Sequence, residues 1–572
     1  MRFVAVWLCT FALAACLAPR DRPDATTFSG QQAEGSVRVR RHVVMASTRD
    51  AASLAIKLEN PGASEIDFSL ISNSPLAVLD PTGTYRPLLA AELPSQDRGT
   101  WTVRPDGTMS TIWRIRQNAL WHDGEPVTAR DFAFALDVYR DPAIDVPDRE
   151  PESFMDRIEI LDDATFVIHW ASPYMAADQL NFKRLPPLPE HVIGRLYVAG
   201  DKQGFQNDPF WSSAAYVGDG PFQIVEWEPG VQHRYRAFDR YFLGRPRIDE
   251  LIVRIIPDEN AALAAVLAGD VDFSGAAALS PQGARTAEQE AGRAGGGTVA
   301  RTMGSLRAAR FQYDPSSSQQ PALRDVRVRR AIARGIDRAA VADLISAGTS
   351  IVAETPIAPG HPLYERVQRV VTKHPYDPSE AAALLADAGW NRQGDALVNA
   401  SGAPFTLNIT GSRSASNDTE KEALAGYLAQ LGMQMSVTSY GLRTTDREQI
   451  ARFPGLRTGT ALAEDLPNDL RVFTTPECPT ADNRWVGENG GCWSNEDFDR
   501  LYLVATTSLS QDERVQATLN ALKIMTEDVG ILGLSHLVQH NWVRRGLEGP
   551  GSIAAGQKGG YTWNVVEWHW TN

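Results

Sequence analysis

VGDGPFQIVEWEPGVQHRYRAFDRYFLGRPRIDELIVRIIPDENAALAAVLAGDVDF, residues 217–273, decides the fold class. A Gly-rich turn at Gly218 to Gly220 leads into an apolar, β-branched and aromatic run at 222–227, and Pro229-Gly230 turns the chain into a second strand. IDELIVRIIPD reads as a further strand. ENAALAAVLAGD reads as a helix that ends at Gly269, where a glycine accepts the left-handed conformation of a helix stop. Strand, strand, strand and helix within one stretch imply an α/β body.

The same alternation continues on both sides. TMSTIWRIRQNALW (108–121) sets Ile112, Arg114 and Arg116 against Trp113 and Ile115, the period of a strand. WHDGEPVTARDFAFALDVY (121–139) then gives a turn at Asp123-Gly124 and an N-cap at Thr128 with Asp131 three residues on. Phe132, Ala135, Leu136 and Tyr139 follow at helical spacing. After the loose EAGRAGGGT (290–298), RAARFQYDP reads as a strand, and two helices follow, capped by Asp325 and Asp337. YDPSEAAALLADAGW (376–390) has an Asp377 cap, Pro378 at the first helical position, Glu380 to close a capping box and Gly389 as a stop. DTEKEALAGYLAQLGMQMSVTSY (418–440) gives a helix and a strand, and no internal repeat is present.

The chain has 572 residues, 43% hydrophobic and 22% charged, enough for two or three lobes with sizeable cores. A formal charge of −14 argues against a nucleic-acid partner, which requires a concentrated basic face. Phe3 to Ala15 is apolar, but 13 residues extend roughly 20 Å as a helix against a hydrocarbon core of about 30 Å. With Arg2 ahead of it and small residues before Cys16, the segment has the layout of a secretory signal. Leu13-Ala14-Ala15-Cys16 resembles a lipobox, which implies a signal peptide over 1–15 and acylation of Cys16. Residues 16–40 are polar and rich in Pro, Gly, Ser and Thr, and are expected to form a disordered tether with a reach of roughly 25–30 Å. Cys9 leaves with the signal, so the exported body keeps Cys478 and Cys492, an even pair that in an oxidising compartment most simply forms one disulfide. Two free thiols or half of a metal site are the alternatives.

Five collinear segments resemble the family-5 solute-binding proteins of ABC importers, the oligopeptide, dipeptide and nickel-binding type. They are WHDGEPVTARDFAFAL (121–136), GDGPFQIVEWEPG (218–230), LRDVRVRRAIARGIDR (323–338), YDPSEAAALLADAGW (376–390) and NGGCWSNEDFDRLYLVA (489–505). The match runs from about residue 85 to 545. It departs from the family pattern at Phe222, where a Tyr is usual, and at Asp219, where a Thr is usual. The resemblance implies a periplasmic-binding-protein-like fold (type II, cluster C) of two α/β lobes with an extra domain inserted in the first. It places lobe I at 41–305 with the insertion at about 75–200, lobe II at 306–530, and a return to lobe I at 531–572. The crossings fall near 303–313 and 528–537. Solute binds in the cleft, the lobes close by hinge motion, and a membrane permease with its ATPase receives the closed form. The chain itself contains no Gly-Lys dipeptide and hence no Walker A loop. The resemblance further implies an exported monomer, anchored to the membrane through its lipid and carrying no cofactor.

Candidate ligand contacts follow from the same resemblance. In peptide-binding members a late aspartate pairs with the ligand amine, and ALAEDLPNDL points to Asp465 for that role, although both flanking aromatics of the family motif are missing. An amine buried in a dry cleft needs such a carboxylate, because leaving it unpaired costs several kcal/mol. Arg413 in TGSRSASND is a candidate bidentate partner for a ligand carboxylate, with an exposed loop arginine as the alternative. Trp485 and Tyr440 are candidate apolar walls, or else core residues. His122-Asp123 reads as a turn rather than a catalytic pair, and a lone Gly-Asp-Gly before a strand is poor evidence for phosphate binding. His536 and His540 in SHLVQH share a face, but with no carboxylate or cysteine near them no metal site is expected. The reading is a receptor for a peptide or similar small polar solute, not an enzyme. An exported sensory or chaperone-like lipoprotein is the first alternative. An exported hydrolase is the second, against which stands the lack of any GxSxG or HExxH motif.

Overall fold

Residues 217–273 form the three strands and the helix expected of them in the computed structural model. The structure describes residues 41–58, 63–276, 278–293, 295–346, 348–441, 447–461, 466–551, 553–555 and 559–571. The signal, the lipobox cysteine and the tether therefore lie outside the described residues, as does Asp465.

The first-half strands of the large sheet are β1 (His42–Ser47), β2 (Phe222–Glu228), β3 (Gln232–Ala237), β4 (Glu250–Ile255), β5 (Phe273–Ser274) and β6 (Gly297–Phe311). The rest are β7 (Ile351–Val352), β8 (Thr406–Ser412), β9 (Gln434–Tyr440), β10 (Leu456–Ala461) and β11 (Ile531–Arg544). Their order is β9-β8-β10-β6-β11-β5-β1-β4-β3-β2, with β7 pairing beside β11. β1 is parallel to β4 and β5, β8 is parallel to β9 and β10, and the long β6 and β11 run antiparallel to each other through the middle. A second sheet takes Trp101–Val103, Met109–Arg114, Thr165–Trp170 and Met155–Asp162 in that order, all antiparallel. In its second strand Trp113 is buried while Arg114 is exposed, as the alternation requires.

The apolar core divides along the same lines. One cluster joins residues from Val43 to Ala276 with Leu547 to Trp568, and two others draw on residues between Leu306 and Leu534. Asp67 ties the returning C-terminal segment to the first cluster by accepting the N–H groups of Gly560 and Tyr561 (2.8 and 2.7 Å). Among the described residues no helix is long and apolar enough to cross a membrane.

The helix starts follow from local capping. Asp258 accepts from Ala261 N, Asp337 from Ala340 N and Asp377 from Glu380 N, at 2.8, 3.0 and 2.9 Å. Thr128 N donates to Asp131 Oδ2 at 2.8 Å. The Glu380 carboxylate is engaged by Arg334 (3.3 Å). Helix Ala415–Gln430 begins a turn earlier than its charge pattern indicates, because Ser414 supplies the cap to Asn417 N (3.2 Å).

WHDG and GDGPF, almost a hundred residues apart, meet in one junction. His122 N donates to Gly218 O (2.8 Å), Gly218 N donates to His122 Nδ1 (3.3 Å), and His122 Nε2 lies 3.0 Å from Gly220 O. The ring is therefore neutral with its proton on Nε2, and burial pushes its pKa down to about 4. Gly220 N donates to Ser72 O at 2.8 Å, and a Cβ on Gly220 would stand 2.5 Å from Asn73 N and 2.7 Å from Ser72 O. The glycines admit a neighbouring backbone. Gly220→Ala is expected to destabilise the protein by about 1–3 kcal/mol through overpacking. A urea unfolding curve with an unmoved midpoint would contradict this.

Candidate functional site: a cation-lined cavity at a closed seam

Two stretches distant in sequence meet face to face: 142–152, just after helix Ala129–Arg140, and 471–502, which includes the loop between Cys478 and Cys492. Arg471 holds them together. Its guanidinium reaches Asp148 (3.3 Å) and Glu150 (3.7 Å) on one side and Glu477 (2.6 Å) and Glu488 (2.8 Å) on its own. Tyr502 donates to Glu150 at 2.8 Å, and Arg484 reaches across to Pro142 O (3.1 Å) and Asp145 (3.0 Å). Behind Glu150, Lys57 pairs with Glu152 (2.8 Å) and donates to Glu150 O (2.9 Å). Burial, reinforced by the Asp148 charge, lifts the Glu150 pKa to about 7 against the pull of Arg471.

A cavity of about 270 Å³ opens at this seam. Pro147 lines it from the 142–152 side. Arg310 on β6, Arg457 on β10, the short helix Arg447–Ala451 and Trp485 and Glu488 from the Cys478–Cys492 loop complete the wall. The two cysteines stand at disulfide distance with Cα atoms 4.8 Å apart, so the loop carrying Trp485 is closed at its base. Within that loop Arg484 and Trp485 both adopt left-handed φ (+55° and +62°), an uncommon conformation for side chains of this size, which holds the indole in the cavity wall.

Arg310 and Arg457 are cross-strand partners in the antiparallel β6–β10 pair. Arg457 Nη1 donates to Ile450 O (3.0 Å), its guanidinium lies 5.3 Å from the Phe453 ring, and it fills space that Gly490 leaves open by having no Cβ. Arg310 Nη1 approaches Thr460 O at 3.4 Å. Burial, followed by the Arg457 charge, lowers Arg310 to about 10 against the pull of Glu488, and burial lowers Arg457 as well.

Of the ligand residues expected from sequence, Trp485 lines this cavity. Tyr440 ends β9, outside the lining, yet its phenol lies close enough to influence both Arg310 and Arg457 electrostatically. Arg413 stands apart from the lining. Its backbone N–H donates to Tyr440 O at 2.8 Å, and its charge acts on Asp418. Leu466 and Pro467, beside Asp465, line a separate cavity of about 240 Å³ that Met175 and Gln179 share. His536 and His540 lie on β11. His536 Nε2 contacts Thr355 O (3.1 Å), and burial brings both residues down to about 4. Sequence reasoning missed Arg310, Arg457 and Arg471. The only signal for them was arginine inside apolar strand and turn segments.

Comparison with known proteins agrees with this architecture. A family model described as bacterial extracellular solute-binding proteins, family 5 Middle, matches residues 84–463. The Di/tripeptide-binding protein 2 of Pseudomonas aeruginosa is 23% identical over 478 residues, 79% of this chain and 82% of that protein. The Oligopeptide-binding protein AppA of Bacillus subtilis is 26% identical over 307 residues, and that alignment spans 53% of each chain, about half the length of the relative. Among solved structures, the oligopeptide binding protein of Thermus thermophilus complexed with pentapeptide superposes with a TM-score of 0.80 at 22% identity, over 93% of this chain and 96% of that one. NikZ from Campylobacter jejuni in complex with Ni(L-His) gives 0.77 at 20% identity, over 93% and 99%. The fold is thus the two-lobed periplasmic-binding-protein type, and the chain belongs to the bacterial extracellular solute-binding proteins of family 5.

Proposed function

We propose that this protein is the exported receptor of an ABC importer, which captures a peptide or similar small polar solute at the seam cavity and delivers it to a membrane permease and its ATPase. The observation that carries this reading is a cavity walled from both sides of a seam that Arg471 clamps shut. Such an arrangement traps a solute on closing and releases it on opening, provided the solute's contacts to both walls favour the closed state. Relatives named for di- and tripeptides and for oligopeptides support the solute class.

In this reading 41–305 is lobe I with its insertion at about 75–200, 306–530 is lobe II and 531–572 returns to lobe I. The separation of the apolar clusters and the long β6–β11 pair between them support the division. Cys16 carries the lipid, 16–40 is the tether, and the protein works as a monomer.

Native mass spectrometry of the purified chain tests the reading. One small molecule per chain is expected, and adding it back to emptied protein at 100 times its Kd should stabilise the fold by about 2.7 kcal/mol and reduce the radius of gyration. Turnover of that molecule, or no change in compactness on binding, would overturn the receptor reading.

A further inference from the structure

Glu150 meets more carboxylates than cations where the seam closes. On its own stretch Asp148 and Glu152 flank it, Lys57 from the turn Ile56–Leu58 pairs with Glu152 at 2.8 Å, and the Arg184 charge acts on Glu150 as well. From across the seam come Arg471, with Glu477 and Glu488 bound to it, and the phenol of Tyr502 on the helix Glu496–Thr507. The carboxylates in this buried contact outnumber Arg471, Lys57 and Arg184. Arg471 is more closely engaged elsewhere: its Nε lies 3.7 Å from Glu150, against 2.6 and 2.8 Å from its other nitrogens to Glu477 and Glu488. Tyr502 donates to Glu150 Oε2, and Oε1 is buried without a hydrogen-bond partner among the described residues. An ionised carboxylate with an oxygen so placed is costly, and a neutral carboxyl is much less so.

Resting on the receptor reading above, we propose that capture is proton-coupled: closing the seam loads a proton onto Glu150, so the protein binds its solute more tightly as pH falls from 8 to 6. Opening withdraws 471–502 from Glu150 and returns the carboxylate to water. The proton passes from solvent to Oε1 on closing and back to solvent on opening, and no other covalent bond changes. Burial, with the Asp148 charge adding to it, holds the pKa at about 7 in the closed form, against about 4.3 for a glutamate in water. Arg471 opposes that shift and is outweighed. The closed form therefore binds the proton more tightly. The gain in affinity is complete below about pH 4, falls as pH rises to about 7 and is level above that. Asp67 and Asp219 are also raised to about 7, but they bond Gly560, Tyr561 and Ser74 away from the seam and bear on stability instead. His536 and His540 on β11 titrate near 4, below this range.

The test uses emptied full-length protein and a panel of dipeptides and tripeptides with uncharged side chains. Affinity is read by calorimetry at pH 6 and pH 8 for wild type, Glu150→Gln and Asp219→Asn. Wild type is expected to bind on the order of tenfold more tightly at pH 6 than at pH 8. At pH 6 it should take up nearly one proton per peptide, counted from the binding heats in two buffers of different ionisation heat. Glu150→Gln should lose the proton uptake and all of the pH dependence except the small part that the peptide amine gives every variant. Asp219→Asn should keep both. The proton count in wild type stands whether or not the Glu150 variant folds. Equal pH dependence in wild type and Glu150→Gln, tighter binding at pH 8, or no proton uptake at pH 6 would overturn the coupling and leave the receptor reading standing. Failure of every peptide to bind at either pH would overturn both.

Discussion

Arg471→Met is expected to cost about 3–5 kcal/mol of unfolding free energy, measured by urea denaturation at neutral pH. The guanidinium sits amid Asp148, Glu150, Glu477 and Glu488, and its side chain is only 13% exposed. Methionine keeps much of the volume and removes the one cation common to all four. The carboxylates then repel one another in surroundings that solvate them poorly, which is why breaking a buried pair costs more than the pair itself contributes. Acid should relieve the defect. Protonation discharges the cluster, so the deficit should be smaller at pH 5 than at pH 8. Adding Glu150→Gln should recover part of the loss, because neighbouring substitutions in one network are not additive. Since Asp148 and Glu150 lie across the seam from Arg471, solute affinity should fall along with stability. A variant as stable as wild type, with a deficit independent of pH, would remove the clamp from this account.

Asp219→Asn should stabilise the protein in alkali and do little in acid. Asp219 is buried, accepts from Ser74 N at 2.8 Å through Oδ1, and its Oδ2 has no hydrogen-bond partner among the described residues. Burial raises its pKa to about 7, with the Asp131 charge adding to the shift. A carboxyl whose folded pKa exceeds its unfolded value holds its proton more tightly in the native state. Its contribution to stability is therefore complete below about pH 4, falls as pH rises to about 7, and is level above that. Asparagine keeps the acceptor toward Ser74 and carries no charge to desolvate. The difference between variant and wild type should grow by on the order of 3 kcal/mol from pH 4 to pH 8. A difference independent of pH would show that Asp219 is already ionised in acid or solvated in the fold.

The sequence by itself determined the class of the fold and the local grammar that builds it. Asp337 and Asp377 announce their helices because a cap acts over three residues, and Trp113 and Arg114 declare opposite faces because a strand alternates with period two. The order of such segments sufficed for the family. Trp485 could be singled out because a large aromatic in a polar loop has few other places to go than a wall or a core. Only the tertiary structure decided who faces whom. Arg310 and Arg457 lie 147 positions apart and become neighbours through strand register, which periodicity does not specify across non-adjacent segments. Arg471 gathers Asp148 and Glu150 from more than three hundred positions away, and Gly220 is required by the backbone of Ser72. Local sequence fixes torsions and faces through short-range sterics and hydrogen bonds. Charge pairing, close backbone approach and the shape of a cavity are properties of surfaces that meet only when the chain has folded.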